Sequence, residues 1–195
     1  MLFLYLNDEK LKQKRDYFEA FLYELLKWWK EKDWKDFEGI LKNSDIEWND
    51  LSKLKVVNLL FLWLWALDEK EKQKKNLDIF NNFEARTLWP FEVDIYNSMI
   101  FETRIWNCFK YFEVKNDKTL FKEDNKTPNF EDEKKEFAID LVNALKKKNP
   151  NLINIIAYEL VDITHKWDCW KIARMFDNKK IPSNSIPINN WWYFS

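Results

Sequence analysis

The hydrophobic positions of this chain recur mostly at three- and four-residue steps, the spacing of a buried helical face. Asp8 stands where it caps a first helix running to about Lys32, with Leu11, Phe18, Leu22, Leu25 and Trp29 on one stripe. Phe21 and Trp28 widen that stripe, and Glu19, Glu24, Lys27 and Lys30 flank it. A short helix from about Trp34 to Lys42 follows, interrupted by Gly39 and ended by Asn43-Ser44-Asp45. Asn49 or Asp50 caps the next, which extends to about Leu67. There Leu54, Val57, Phe61 and Leu64 make one face, and Val56, Leu60, Trp63 and Leu67 the opposite one. A helix apolar on both sides lies inside a fold, so this is the expected central helix.

Asp68 to Lys75 reads as an exposed first turn leading to Leu77, Phe80 and Phe83, and this helix stops before Trp89-Pro90. Pro90 is suited to begin a helix. The pattern from Phe91 to Glu113 is again helical, with Phe101, Ile105, Cys108 and Phe112 on one stripe and Ile95, Met99 and Trp106 beside it. Lys115 to Asn129 is polar and charged and reads as a linker or functional loop. A helix from about Asp132 to Lys148 carries Phe137, Ala138, Leu141, Val142 and Leu145. Pro150 begins another, with Leu152, Ile155, Ile156, Leu160 and Ile163. Trp167 to Phe176 forms a last short helix, and the aromatic run Trp191-Trp192-Tyr193-Phe194 is expected to tuck back onto the fold.

Composition sharpens this picture. The 195 residues include twelve tryptophans, one glycine and one histidine. Hairpin turns and phosphate-cradling loops usually draw on glycine for positive φ. The expected fold is therefore all-α: a single compact domain, 1–195, forming a bundle of about seven to eight helices, with solenoid-like pairing as a variant. Residues 115–129 mark the one place to subdivide it, into 1–114 and 130–195. The 32 basic and 33 acidic residues leave a net charge of −1. That balance argues against a nucleic-acid footprint and leaves charge recognition to local patches.

The apolar start Met1 to Leu6 is too short for a signal peptide, and Val56 to Leu67 is too short to span a bilayer. A cytoplasmic protein without membrane contact is expected. Cys108 and Cys169 lie in aromatic helical contexts and read as buried thiols.

The chain carries no Gly-rich phosphate loop, G-x-S-x-G or kinase signature. His165 and Cys169 have the spacing of one helical turn, with Asp162 or Asp168 near. The Trp-rich surroundings disfavour a thiolate there. Asp162-x-x-His165 has metal-ligand spacing, but a bundle metal site needs a second such motif and the chain has no second histidine. None of Arg15, Arg86, Arg104 or Arg174 lies four to six residues before His165, as helical ribonucleases require. Glu71, Asp78, Glu84, Glu92, Asp94 and Glu102 read as solvated helix faces. Lys70 to Lys75 and Lys146 to Lys148 read as solvated or dipole-complementing cations. No catalytic residue, metal ligand or cofactor is expected, and the chain reads as no enzyme.

Tryptophan is enriched at binding hot spots, and adjacent tryptophans on a helix point about 100° apart. Trp28, Trp34, Trp48 and Trp89 are accordingly the candidate partner-binding residues, and Trp63, Trp65 and Trp106 fall on core stripes.

Three segments resemble bacterial polymorphic-toxin immunity proteins, specifically the all-helical PoNe-type DNase immunity family. They are Arg15-Asp16-Tyr17-Phe18 on the first helix; Val56 to Leu67 ending in Leu67-Asp68; and Trp167-Asp168-Cys169-Trp170-Lys171-Ile172-Ala173 followed by Asp177 and Pro187. The resemblance implies a helical, non-enzymatic immunity protein that binds and neutralises a cognate toxin. The alternatives are a phage-encoded inhibitor of a host defence system and a metal-dependent helical hydrolase. Gene neighbourhood separates the first from the immunity reading, and a metal requirement separates the second.

Overall fold

A computed structural model of the chain describes residues 8–33, 52–66, 79–85, 90–105, 108–115, 118–122, 128–166 and 171. The described elements are α1 (Glu9–Asp33), α2 (Lys53–Ala66), β1 (Phe83–Ala85), β2 (Pro90–Glu92), α3 (Val93–Ile105), β3 (Phe112–Lys115), β4 (Lys118–Phe121), α4 (Asp132–Lys148), a 3-10 turn (Leu152–Asn154) and α5 (Ala157–His165). The chain divides into two compact units. One comprises Met1–Lys53 and Asn97–Asn143, and the other Leu54–Tyr96 and Ala144–Ser195.

The expectation of an all-α bundle of seven to eight helices is corrected by this element order. Five α-helices and two antiparallel strand pairs occur among the described residues. In the β3–β4 ladder Phe112 pairs with Phe121, Glu113 with Leu120, Val114 with Thr119 and Lys115 with Lys118. Only Asn116 and Asp117, which lie outside the described residues, separate the last pair in sequence. Phe112 and Val114 are buried and Lys115 is exposed, so β3 follows a period of two, and Thr119 opposite Val114 is buried as well.

The other ladder pairs Phe83 with Glu92, Glu84 with Phe91 and Ala85 with Pro90. Pro90 opens a strand and does not begin a helix, a position where its missing N–H costs little. Phe83, expected on a helix, lies in β1. The helix expected over Phe91 to Glu113 is shorter at both ends, Val93–Ile105, and the expected polar loop 115–129 supplies β4.

Two helices match the sequence pattern closely. On α1 the Asp8 carboxylate accepts the Leu11 N–H (3.1 Å), and Leu11, Phe18, Phe21, Leu22 and Leu25 are buried. Helix α4 starts with Asp132 and Glu133 and ends with Lys146, Lys147 and Lys148, which complements its dipole at both ends. Tyr17 packs edge-on against Phe137 at 4.9 Å, and Tyr17 Oη donates to Glu133 (2.7 Å).

Helix α2 is buried on every face from Lys55 to Leu62. Two polar groups interrupt that surface. Lys55 Nζ donates to the Ile153 carbonyl in the 3-10 turn. Asn58 Nδ2 donates back to the Leu54 carbonyl (2.9 Å), while its Oδ1 is buried without a partner among the described residues. An orphaned acceptor of this kind costs about 1–3 kcal/mol. Asn58→Leu is therefore expected to raise unfolding free energy by about 1 kcal/mol, read by urea denaturation; a loss of stability would mean that the amide is satisfied.

Pro150 does not begin a continuous helix. The 3-10 turn follows it, and then Ile155 (ψ 132°) and Ile156 (ψ 155°) are extended before α5 starts. Two consecutive extended β-branched residues hold the backbone out of helical geometry there.

The expected helix 34–42, the caps Asn49 and Asp50, the stretch 68–78, the last helix apart from Lys171, and the aromatic run 191–194 lie outside the described residues.

Candidate functional site

Three buried glutamates dominate the polar chemistry of the described residues: Glu19 on α1, Glu92 at the end of β2 and Glu102 on α3 are all at most 1% exposed. Each accepts hydrogen bonds from two backbone N–H groups. Glu92 takes Ile95 N–H on Oε2 (2.9 Å) and Asn82 N–H on Oε1 (3.4 Å), so it caps the first turn of α3. Glu102 Oε2 takes Cys108 N–H (2.6 Å) and Phe109 N–H (3.0 Å), just past the end of α3. Glu19 Oε1 takes Tyr111 N–H (2.6 Å) and Phe112 N–H (3.2 Å).

Glu92 and Glu102 were expected on solvated faces and Glu19 on a flank; the structure corrects all three. The backbone donors of a connector must find acceptors once buried. With so little glycine to tighten the turns, side-chain carboxylates reach over and supply them. The three acids share one sequence feature, each directly following a phenylalanine: Phe18-Glu19, Phe91-Glu92 and Phe101-Glu102.

The electrostatics of the two acids in the first unit differ. Lys122 Nζ lies 3.0 Å from Glu102 Oε1 and also donates to the Phe109 carbonyl. Glu19 makes no ion pair among the described residues. Burial pushes its carboxyl up to about 7, against the pull of the Tyr111, Lys110 and Phe112 N–H groups and with a further push from Asp16. Burial, with Glu102 adding to it, also pushes the Cys108 thiol up to about 11. That thiol stays protonated near neutral pH and is a poor nucleophile.

The surface offers less chemistry. A groove of about 290 Å3 is lined by Glu9, Lys10, Lys12, Gln13, Asp16 and Lys134. Lys134 is engaged there by Asp16 (3.3 Å) and Glu131 (3.1 Å). The groove is charge-mixed and suits binding more than proton transfer.

Tyr158, on the first turn of α5, is 72% exposed, and Ile156 just before it is 44% exposed. Every other described aromatic side chain is buried or half-buried, which sets Tyr158 apart. Glu159 and Asp162 are exposed on the same helix. On α4, Ile139 is exposed amid Asp132, Glu136 and Asp140.

Of the four tryptophans expected to bind a partner, Trp28 is 2% exposed, and Trp29 beside it is half-buried. Trp34, Trp48 and Trp89 lie outside the described residues, as do the side chains of Trp63, Trp65 and Trp106. Asp162 is exposed and His165 half-buried, while Cys169 is outside the described residues. Among the described residues no group of three His, Cys, Asp or Glu side chains is placed to hold a metal ion. No helix among them is long and apolar enough to cross a membrane. No protein-family model, curated protein or solved structure matches the chain.

Proposed function

We propose that the chain is a non-enzymatic binding protein of the bacterial cytoplasm that neutralises a cognate protein toxin by occupying it stoichiometrically. The observation that carries this reading is Tyr158. A chain that buries or half-buries its other described aromatic side chains leaves this one in water, next to Ile156 and close to Glu159 and Asp162. Isolated exposed tyrosines with an apolar neighbour and charged surroundings are the residue type that anchors protein interfaces. The spent carboxylates support the same reading, since Glu19, Glu92 and Glu102 each serve backbone groups. The immunity-protein resemblance of the first helix, the central helix and the Trp167 to Ala173 segment supplies the partner class.

Affinity capture from lysate of the producing cell, with mass-spectrometric identification, tests the reading. Wild-type protein is expected to retain one dominant toxin-like protein in near-equimolar amount. Tyr158→Ala is expected to weaken that complex about thirtyfold, the effect of losing a hot spot of about 2 kcal/mol. Recovery of only further copies of the chain, or of diffuse background, would contradict it.

A further inference from the structure

Helix α5 opens one side to water. Leu160, Val161, Ile163 and Thr164 are buried, whereas Tyr158, Glu159 and Asp162, with Lys166 just past the helix, are exposed. At about 100° per residue these four positions fall within an arc of about 100°, and Tyr158 and Asp162 are only about 40° apart on it. Side chains four residues apart on a helix are neighbours, so the Tyr158 ring and the Asp162 carboxylate stand side by side. Ile156, 44% exposed, adds apolar surface just ahead of the ring. The cation on the arc, Lys166, lies about 12 Å along the axis from Tyr158.

The fold itself makes no use of these two acids. Glu19, Glu92 and Glu102 serve backbone N–H groups, and Glu24, Glu113 and Asp132 pair with lysines. Neither Glu159 nor Asp162 makes an ion pair among the described residues. Glu159 stands in the first turn, where a negative charge complements the helix dipole. Asp162 lies a turn further on and has no such role. A partner that covers Tyr158 therefore meets an exposed aromatic face with a carboxylate at its edge. An apolar partner group would strip water from that carboxylate without replacing its hydrogen bonds, and an acidic one would be repelled. A guanidinium fits both halves, since it stacks flat on an aromatic ring and presents a fork of N–H donors to a carboxylate.

We propose that the open arc of α5 receives an arginine side chain from the surface of the partner protein, stacked on Tyr158 and paired with Asp162. The inference rests on the binding-protein reading above and names the chemistry that the partner presents to it. Arginine is also among the residue types that dominate interface hot spots, which tend to face one another across an interface. On α4, Ile139 and Glu136 give an internal comparison: an exposed apolar residue beside an exposed acid, with no exposed aromatic ring.

NMR titration of the full wild-type chain with N-acetyl-arginine amide, against its uncharged isostere N-acetyl-citrulline amide, tests the site without a partner in hand. The arginine probe is expected to shift the Tyr158 ring and the Asp162 amide saturably, with a dissociation constant of about 10 mM, and the citrulline probe to leave them unmoved. Equal shifts from both probes, or arginine shifts as large at Glu136 and Ile139, would overturn the proposal. The captured complex gives the second arm. Asp162→Asn is expected to weaken it about tenfold and Glu159→Gln by less than about threefold. Tyr158→Phe, which keeps the ring face, is expected to weaken it by less than about twofold. A captured complex indifferent to Asp162→Asn, or as damaged by Tyr158→Phe as by Tyr158→Ala, would overturn the arginine site while leaving the binding reading intact. Failure to capture any partner contradicts that reading, and the probe titration then decides the site alone.

Discussion

Glu102→Ala is expected to lower the unfolding free energy by about 3 kcal/mol. Three groups lose their partner at once. The Cys108 and Phe109 N–H groups are left as buried donors, and the Lys122 ammonium loses its counter-charge in a setting only partly open to water. Lys122 still reaches the Phe109 carbonyl, which keeps the loss below the upper range for broken buried pairs. Glu102→Gln retains an acceptor for the two N–H groups and is expected to cost about half as much. Urea denaturation of both variants checks the order. A loss below 1 kcal/mol for the alanine variant, or a glutamine variant as damaged as the alanine one, would mean that the carboxylate is not the anchor of the connector.

Phe61→Ala is expected to have the larger effect, about 4 kcal/mol. Phe61 is wholly buried on α2 and meets Phe83 of β1 edge-on at 5.5 Å. Removing the ring deletes transfer energy and leaves a cavity whose walls relax only in part. A double-mutant cycle of Phe61→Ala with Phe83→Ala is expected to give a coupling of about 1 kcal/mol. Additive losses would show that the two rings do not pack together.

The parts of this fold that the sequence displays are those with strong helical period. Helices α1 and α4 carry broad apolar stripes, α1 with its Asp8 cap and α4 with charges that complement its dipole, and α2 is apolar on nearly every face, so burial forces it inward. Hairpin β3–β4 was hidden by two features. Phe101, Ile105, Cys108 and Phe112 keep three- and four-residue spacing straight across the end of α3, so the period alone does not reveal the break. The β3–β4 pairing forms in a chain with a single glycine, so scarcity of glycine says less about strands than it first suggests. The alternation of Phe112, Glu113, Val114 and Lys115 was the available sign, but four residues are few against a helical pattern of twenty.

The site residues were less legible still. An acid on a helix is usually solvated, and nothing local to Glu19 tells that its acceptors serve a segment 92 residues away. Trp28 stands out by type, yet it is 2% exposed, and a single tyrosine at a helix start such as Tyr158 carries no periodic signal.

Stoichiometric inhibition is the centre of the account, and an endpoint titration measures it most directly. The toxin recovered by capture is held at a concentration far above the dissociation constant, and its activity is followed as purified chain is added. The account predicts a linear fall to zero at one chain per toxin, with the chain recovered chemically unchanged and Tyr158→Ala giving a curved, incomplete titration. Full inhibition by a small fraction of an equivalent would mean turnover, and would contradict a binding protein.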